Sequence, residues 1–224
     1  VPFDDKTKTM HLADVGLTGL YILDCESLAD LAAAIGRPEE AELRDWAEKV
    51  KTGLETLWDE ETGIYQNRRT DTGEFYRRLS PTNFYAWFSD KVSDAHSERM
   101  LKEHFYNPAE FWGDFIMPSI SRNDPAYPDQ DYWRGRIWAP MNYLVYLAMR
   151  KRGLSEACRD LSANSASLFL QEWRAHGHVH ENYDGDTGWG CGVRNSDKFY
   201  HWGALLALIG LIEGGFVDGP ETKL

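Results

Sequence analysis

The sequence is short of basic residues. Twenty-four Lys and Arg stand against 36 Asp and Glu, a formal net charge of −12, so long-range electrostatics oppose a phosphate backbone or an anionic membrane surface. Nucleic acid is not an expected partner, and neither is a membrane. No apolar run approaches the roughly 18 residues that a spanning helix needs, and residues 1–10 are too polar for the apolar region of a signal peptide. Cysteine is scarce as well. Cys25, Cys158 and Cys191 are an odd number at spacings that match neither a disulfide framework nor a zinc site, which points to a reducing compartment, the cytoplasm. Gly-x-Ser-x-Gly, Gly-x-x-x-x-Gly-Lys-Ser/Thr and Gly-x-Gly-x-x-Gly are all missing, so the nucleophile elbow, the phosphate-cradling loop and the dinucleotide fingerprint drop out.

What is present is a chain of 224 residues with 42% hydrophobic and 27% charged side chains. These are the proportions of a folded domain rather than of a disordered, collagenous or coiled-coil chain. Thirty residues are aromatic, nine of them Trp. Leu and Ile fill a core with fewer polar obligations, so this excess points to a stacking surface.

Helical periodicity dominates. Leu17, Leu20, Tyr21, Leu28, Leu31, Ala32 and Ile35 recur on one face, with Gly36 and Pro38 as a stop. Leu43, Trp46, Ala47, Val50, Leu54 and Leu57 make a second face, with Pro38 suited to its first turn and Glu39 and Glu40 complementing the dipole. So short a link predicts an antiparallel pair. From Asp59 to Arg78 the pattern changes, because Thr62-Gly63 and Thr72-Gly73 punctuate short aromatic runs, and a small β-hairpin is expected there. Helical character returns at 81–89 and 94–104. A long irregular segment then runs to Asp131, too apolar for disorder. Ile137 to Ala148 and Leu154 to Leu168 predict a second helix pair, with polar Ser165 interrupting the stripe. Phe199 to Ile212 predicts a last helix, apolar nearly all round and therefore buried. Helix pairs joined alternately by tight turns and by long loops fit one all-α domain over 1–224, as a toroid of paired helices or a plain solenoid.

Three segments carry candidate chemistry. Asp131-Tyr132-Trp133-Arg134-Gly135-Arg136-Ile137-Trp138 mixes aromatic rings with Asp and Arg. Sugar recognition wants that mixture, because rings pack on the C–H face of a pyranose while Asp131 and Arg134 bond its hydroxyls. Core packing with structural ion pairs fits these residues equally well. The loop Glu181-Asn182-Tyr183-Asp184-Gly185-Asp186-Thr187-Gly188-Trp189-Gly190 places carboxylates among aromatics. Such a carboxylate can hold and orient a water as a general base, and Trp189 can add a ring to the site. Asp184 and Asp186 also fit as turn residues, and the EF-hand spacing is missing. His176-Gly177-His178-Val179-His180 alternates as metal ligands on a strand would. A surface loop explains that run as well, so the expectation is no metal and no cofactor.

At these residues the sequence resembles glycoside hydrolase family 63. The likeness rests on Tyr132 to Trp138 followed by Met141-Asn142-Tyr143-Leu144, then on Glu181-Asn182-Tyr183-Asp184 with Thr187-Gly188. It extends to His11-Leu12-Ala13-Asp14-Val15-Gly16-Leu17 and to Ser119-Ile120-Ser121-Arg122-Asn123-Asp124-Pro125. The resemblance implies part of an (α/α)6 toroid and inverting hydrolysis of an α-glucoside or α-mannoside by two carboxyl groups. It makes Glu181 the general base and puts Trp133, Arg134 and Trp138 at the sugar subsite, with Tyr183 beside the base. The family's general acid lies in a Gly-x-Asp-Asn-Ser-type motif that this chain lacks. The chain is therefore expected to be the C-terminal part of a longer catalytic domain, to partner the N-terminal remainder and a carbohydrate substrate, and to expose apolar helix faces. A carbohydrate-binding module without catalysis and a trehalase-like toroid glycosidase are the alternatives.

Overall fold

A computed structural model describes residues 2–220, which form two compact units. The first comprises residues up to 78 together with 82–100. It opens with a hairpin of β1 (Phe3–Asp4) and β2 (Thr9–Met10), followed by α1 (Val15–Ala34) and α2 (Glu39–Glu55). The Asp14 carboxylate caps α1 by accepting from the Leu17 amide at 2.7 Å and from Asn67 Nδ2 at 3.0 Å. Asn67 Oδ1 in turn accepts from the Val15 amide, so the first turn of α1 is held by a second segment as well as by its own cap. The helix ends where Gly36 takes a left-handed conformation (φ 68°) and the Arg37 amide bonds back to the Ala32 carbonyl.

The predicted helix is there, but its buried face is not the predicted one. Val15, Gly16, Gly19, Ile22, Cys25, Ala29 and Ala32 face inward, whereas Leu17, Tyr21, Leu28, Leu31 and Ile35 are exposed by 44–75%. The reason is close approach. A Cβ on Gly19 would lie 2.3 Å from the Tyr85 carbonyl oxygen, and one on Gly16 2.7 Å from Thr82 Cβ, so only small residues fit against the 3-10 helix Pro81–Phe88. Trp46 on α2 is likewise 42% exposed, while Ala47, Lys51 and Leu54 are buried. Lys51 bonds Glu26 on α1 at 2.6 Å, Asp90 at 3.0 Å and Glu48 at 3.1 Å. Burial alone would depress this ammonium, yet the carboxylates of Glu26, Asp90 and Glu48 hold it above its ordinary value. Two hairpins occupy the stretch where one was expected: β3 (Trp58–Asp59) with β4 (Ile64–Tyr65), and β5 (Asn67–Arg68) with β6 (Phe75–Tyr76). This unit ends in α3 (Asp94–Arg99), capped by Ser93.

The second unit comprises 79–81 and the residues from 101 onward. Its α-helices are α4 (Ala139–Arg152), α5 (Ser155–His176) and α6 (Leu205–Glu213), and its long segment from 106 to 131 is irregular, as expected, apart from a 3-10 turn at Tyr127–Asp129. Ile137, Ala139, Leu168, Tyr183 and Leu206 form a buried cluster with Phe115, Phe169 and Leu205 packed on it. The backbones of Ile137 and Tyr183 exchange hydrogen bonds of 2.8 and 3.0 Å, so the two motif segments are stitched together over that cluster. The last helix departs from expectation. Phe199 lies outside it, and α6 buries only Leu206, Ile209 and Ile212 while Leu211 stays 42% exposed. Among the described residues no helix is long and apolar enough to cross a membrane.

Candidate active site

The site is built from the turn at 131–134 and the loop beginning at Glu181, both in the second unit. Asp131 and Arg134 pair through their backbones in both directions, which lifts Tyr132 and Trp133 to the tip of a tight turn, 37% and 46% exposed. Tyr132 is left-handed (φ 51°), a conformation costly for a bulky residue, and the Trp138 indole holds it there by donating to its carbonyl at 3.0 Å. Trp133 stacks on Trp138 with ring centroids 3.7 Å apart and 16° between planes. Trp138 is fully buried, so it forms a floor and Trp133 alone offers a free ring face.

Glu181 stands next to this stack, only 8% exposed. The Tyr132 hydroxyl donates to Glu181 Oε1 at 2.9 Å, and Asn182 Nδ2 lies 3.4 Å from Oε2. Hydrogen bonding to Glu181 pushes the Tyr132 phenol above its ordinary value, so at neutral pH it remains the donor. The Glu181 backbone is held at both ends: its amide donates to the Asp197 carbonyl at 2.8 Å, and its carbonyl accepts from the Trp202 indole at 3.0 Å. Behind it Arg136, 3% exposed, donates to the Gln130 carbonyl, the Asn195 carbonyl and Asn182 Oδ1. Burial draws this guanidinium below its ordinary value, against the opposing pull of Asp131, Asp184 and Glu181. A guanidinium stays charged in proteins, so a buried cation and an oriented amide support the carboxylate from one side.

The remaining sequence-predicted residues have other surroundings. Arg134 is half-exposed and bridges Asp129 at 3.0 Å and Asp131 at 2.9 Å. Tyr183 is buried, its hydroxyl accepting from the His180 amide at 3.2 Å, and burial pushes its phenol up to about 12. Trp189 packs edge-on against His176, centroids 5.6 Å apart. Asp184 Oδ1 accepts from the Asp186 amide and from the Thr187 amide and hydroxyl, and Asp186 accepts from the Tyr127 hydroxyl. The reading of Asp184 and Asp186 as turn residues therefore has a geometric basis. Sequence reasoning passed over Tyr132 as a partner of Glu181 and took Trp202 only as a member of the last apolar helix. Tyr132 sat inside the quoted motif, but nothing in the residue types signals a left-handed backbone there.

A model of the mannosylglycerate hydrolase MGH1-like glycoside hydrolase domain matches residues 4–202. The mannosylglycerate hydrolase of Thermus thermophilus is 27% identical over 200 residues, covering 88% of this chain and 45% of that protein. The chain thus spans about half the length of this curated relative. The crystal structure of the glycoside hydrolase family 63 mannosylglycerate hydrolase of T. thermophilus in complex with glucose matches with a TM-score of 0.74 at 26% identity, over 88% of this chain and 47% of that one. Neutral trehalase of Saccharomyces cerevisiae shares the fold, with a TM-score of 0.67 at 18% identity over 91% of this chain and 38% of that one. These likenesses bear out the all-α fold class read from the sequence, antiparallel helix pairs of an (α/α)6 toroid.

Proposed function

The chain belongs to the mannosylglycerate hydrolase MGH1-like glycoside hydrolase domain family, and from that membership we propose that it supplies the general base and one aromatic wall for inverting hydrolysis of an α-glucoside or α-mannoside. The observation that carries the reading is Glu181, a nearly buried carboxylate with one oxygen bonded by Tyr132 and a stacked Trp133–Trp138 pair alongside. A base needs a fixed direction for the water it activates. Tyr132 and Asn182 provide it by occupying lone pairs on both oxygens, which leaves the rest of the carboxylate for that water. Trp133 offers its free face to a pyranose ring. Asp131 and Arg134 serve the sugar hydroxyls from the foot of the turn, Trp138 and Tyr183 act from beneath, and Trp189 borders the loop.

Inversion places the acid across the sugar, about 6.5–9.5 Å from the base. In this reading the acid is an Asp outside these 224 residues, in the N-terminal remainder of the same catalytic domain, to which both compact units belong. The buried, unpaired Cys25 and Cys158 suit a cytoplasmic protein. The test is to incubate the protein carrying this chain with mannosylglycerate, glucosylglycerate and an α-linked glucose disaccharide, and to follow the anomer first released by proton NMR. Release of the β-anomer is expected. Binding without release would favour the carbohydrate-binding module, and release of the α-anomer would overturn inversion.

A further inference from the structure

Beyond the sugar site, one buried cluster lacks a partner that its chemistry requires. Glu172, on the last turns of α5, is completely buried. Its Oε2 accepts from the Gly190 amide at 2.8 Å. Its Oε1 lies 3.4 Å from His180 Nε2 and 2.9 Å from His176 Nδ1 yet is hydrogen-bonded to neither. His180 Nε2 is also buried without a hydrogen-bond partner, as is His178 Nδ1 beside it. The tautomer of His180 follows from its other nitrogen. Nδ1 faces the Ser196 carbonyl at 3.2 Å, and a carbonyl only accepts, so Nδ1 carries the hydrogen and neutral His180 presents the Nε2 lone pair to Glu172. A carboxylate lone pair and an imidazole lone pair thus face each other in a buried place. That arrangement is unfavourable unless a positive charge lies between them. Cys191 completes the set: one ligand atom each from Glu172, His180 and Cys191 lie within 4.8 Å of one another.

We propose that Glu172, His180 and Cys191 bind a zinc-class divalent cation, with the fourth position left to solvent. A proton on His180 would supply one positive charge but leave the thiol unused and the Glu172–His180 contact misaligned, whereas a single divalent ion meets all three donors at once. The donor set selects the metal. Sulfur with imidazole and one carboxylate suits Zn²⁺ and disfavours Mg²⁺ or Ca²⁺, which take oxygen. Bonds of about 2.0–2.3 Å in a tetrahedron put donors roughly 3.3–3.7 Å apart, and the Glu172–His180 pair already stands at 3.4 Å. The supporting contacts are of the usual kind, with the Gly190 amide on the second carboxylate oxygen and the Ser196 carbonyl on the second imidazole nitrogen. On binding, Cys191 gives its thiol proton to solvent and bonds as thiolate. The ion would fasten the end of α5 to the residue directly before Glu181 and to the glycine loop after Trp189. In sequence the alternating histidines fit a surface loop as well as a metal site; Glu172 stands one helical turn before His176 and Cys191 lies beyond the glycine loop, so only the folded chain brings Glu172, His180 and Cys191 together.

The test uses the protein carrying this chain, prepared without a histidine tag and stripped with chelator, then titrated with Zn²⁺ and, separately, with Co²⁺. The expected result is one equivalent of Zn²⁺ removed by both Cys191→Ser and Glu172→Gln, with affinity falling about tenfold or more in each. Bound Co²⁺ is expected to give a thiolate charge-transfer band in the near ultraviolet that Cys191→Ser abolishes. Cys191 is exposed, so its serine variant should keep the fold, and a thermal melt checks this. Absence of that equivalent in the parent protein, or its retention in either folded variant, overturns the proposal. No readout depends on glycoside hydrolysis.

Discussion

The Tyr132 hydroxyl donates to Glu181 Oε1 across 49 residues of sequence, at 2.9 Å. It does so from a left-handed residue at the tip of a turn, so backbone conformation that favours few side chains is spent on aiming one phenol. Tyr132→Phe keeps the ring against Trp138 and removes only the donor. A net hydrogen bond to a charged group is worth about 1.5–3 kcal/mol, so kcat/KM should fall about 10- to 100-fold. Glu181→Gln removes the base itself, and its turnover should fall about 10²-fold or more while sugar binding persists. Steady-state kinetics with the sugar substrate, alongside calorimetric binding, checks both. Near parental turnover in Glu181→Gln would take Glu181 out of the base role.

Trp133 and Trp46 are nearly equally exposed, at 46% and 42%, but only Trp133 lies on a second indole. Trp133→Ala should weaken sugar binding by about 1–3 kcal/mol through loss of the stacking face. Trp46→Ala should leave affinity unchanged and, being a half-exposed helix residue, should cost well under the roughly 3–5 kcal/mol of a buried Trp truncation. Calorimetric titration and urea unfolding on both variants separate the two roles.

Much of this was readable from residue order, for reasons that differ by element. α1 was visible because apolar residues recur at a helical period from Leu17 to Ile35 and Gly36 with Pro38 marks its end. Its buried face was not, because the identity of the inner residues is set by how closely Gly16 and Gly19 approach residues 82–85, a tertiary fact with no local signature. Trp133 and Glu181 were visible as motif residues. Trp202, which reaches the Glu181 carbonyl from 21 residues downstream, read as an ordinary member of an apolar helix. Glu172 was invisible because an acid among Gln171, Trp173 and Arg174 looks like a solvated helix position, and only its complete burial marks it out.

Lys51 should be the most sensitive ionic position of the first unit. Lys51→Met removes the buried ammonium that bonds the Glu26 carboxylate, 13% exposed, at 2.6 Å, and breaking a buried pair from one side costs about 3–5 kcal/mol. Glu48, 56% exposed in the same cluster, should cost no more than about 1 kcal/mol when replaced by Ala. Differential scanning calorimetry on the two variants gives the comparison. Equal losses would mean that the cluster acts through surface charge rather than burial.

Gly190 offers a way to move Glu181 without touching it. A Cβ at this position would fall 2.4 Å from His180 Cβ and 2.5 Å from its Cγ, which is closer than real Cβ atoms stand to anything. His180 cannot retreat, because its carbonyl is backed by Gly203, where a Cβ would sit 2.2 Å from that oxygen. The Gly190 backbone cannot easily yield either, since its amide is bonded to buried Glu172. The overlap must therefore pass into the chain at His180, and the next residue is Glu181. A displacement of about 1 Å at a reacting group can cost about 10²-fold in rate. Gly190→Ala is accordingly expected to lower kcat at least tenfold, while the Trp133 stack, which does not contact this glycine, keeps its affinity for sugar. Gly53→Ala is the control: Gly53 lies inside α2 with nothing within 4 Å of the added carbon, so it should stabilise the helix by up to about 1 kcal/mol and leave kcat alone. Kinetics and urea midpoints on the two alanine variants decide the matter, and an unchanged kcat in Gly190→Ala would mean that the segment bearing Glu181 is not held by this contact.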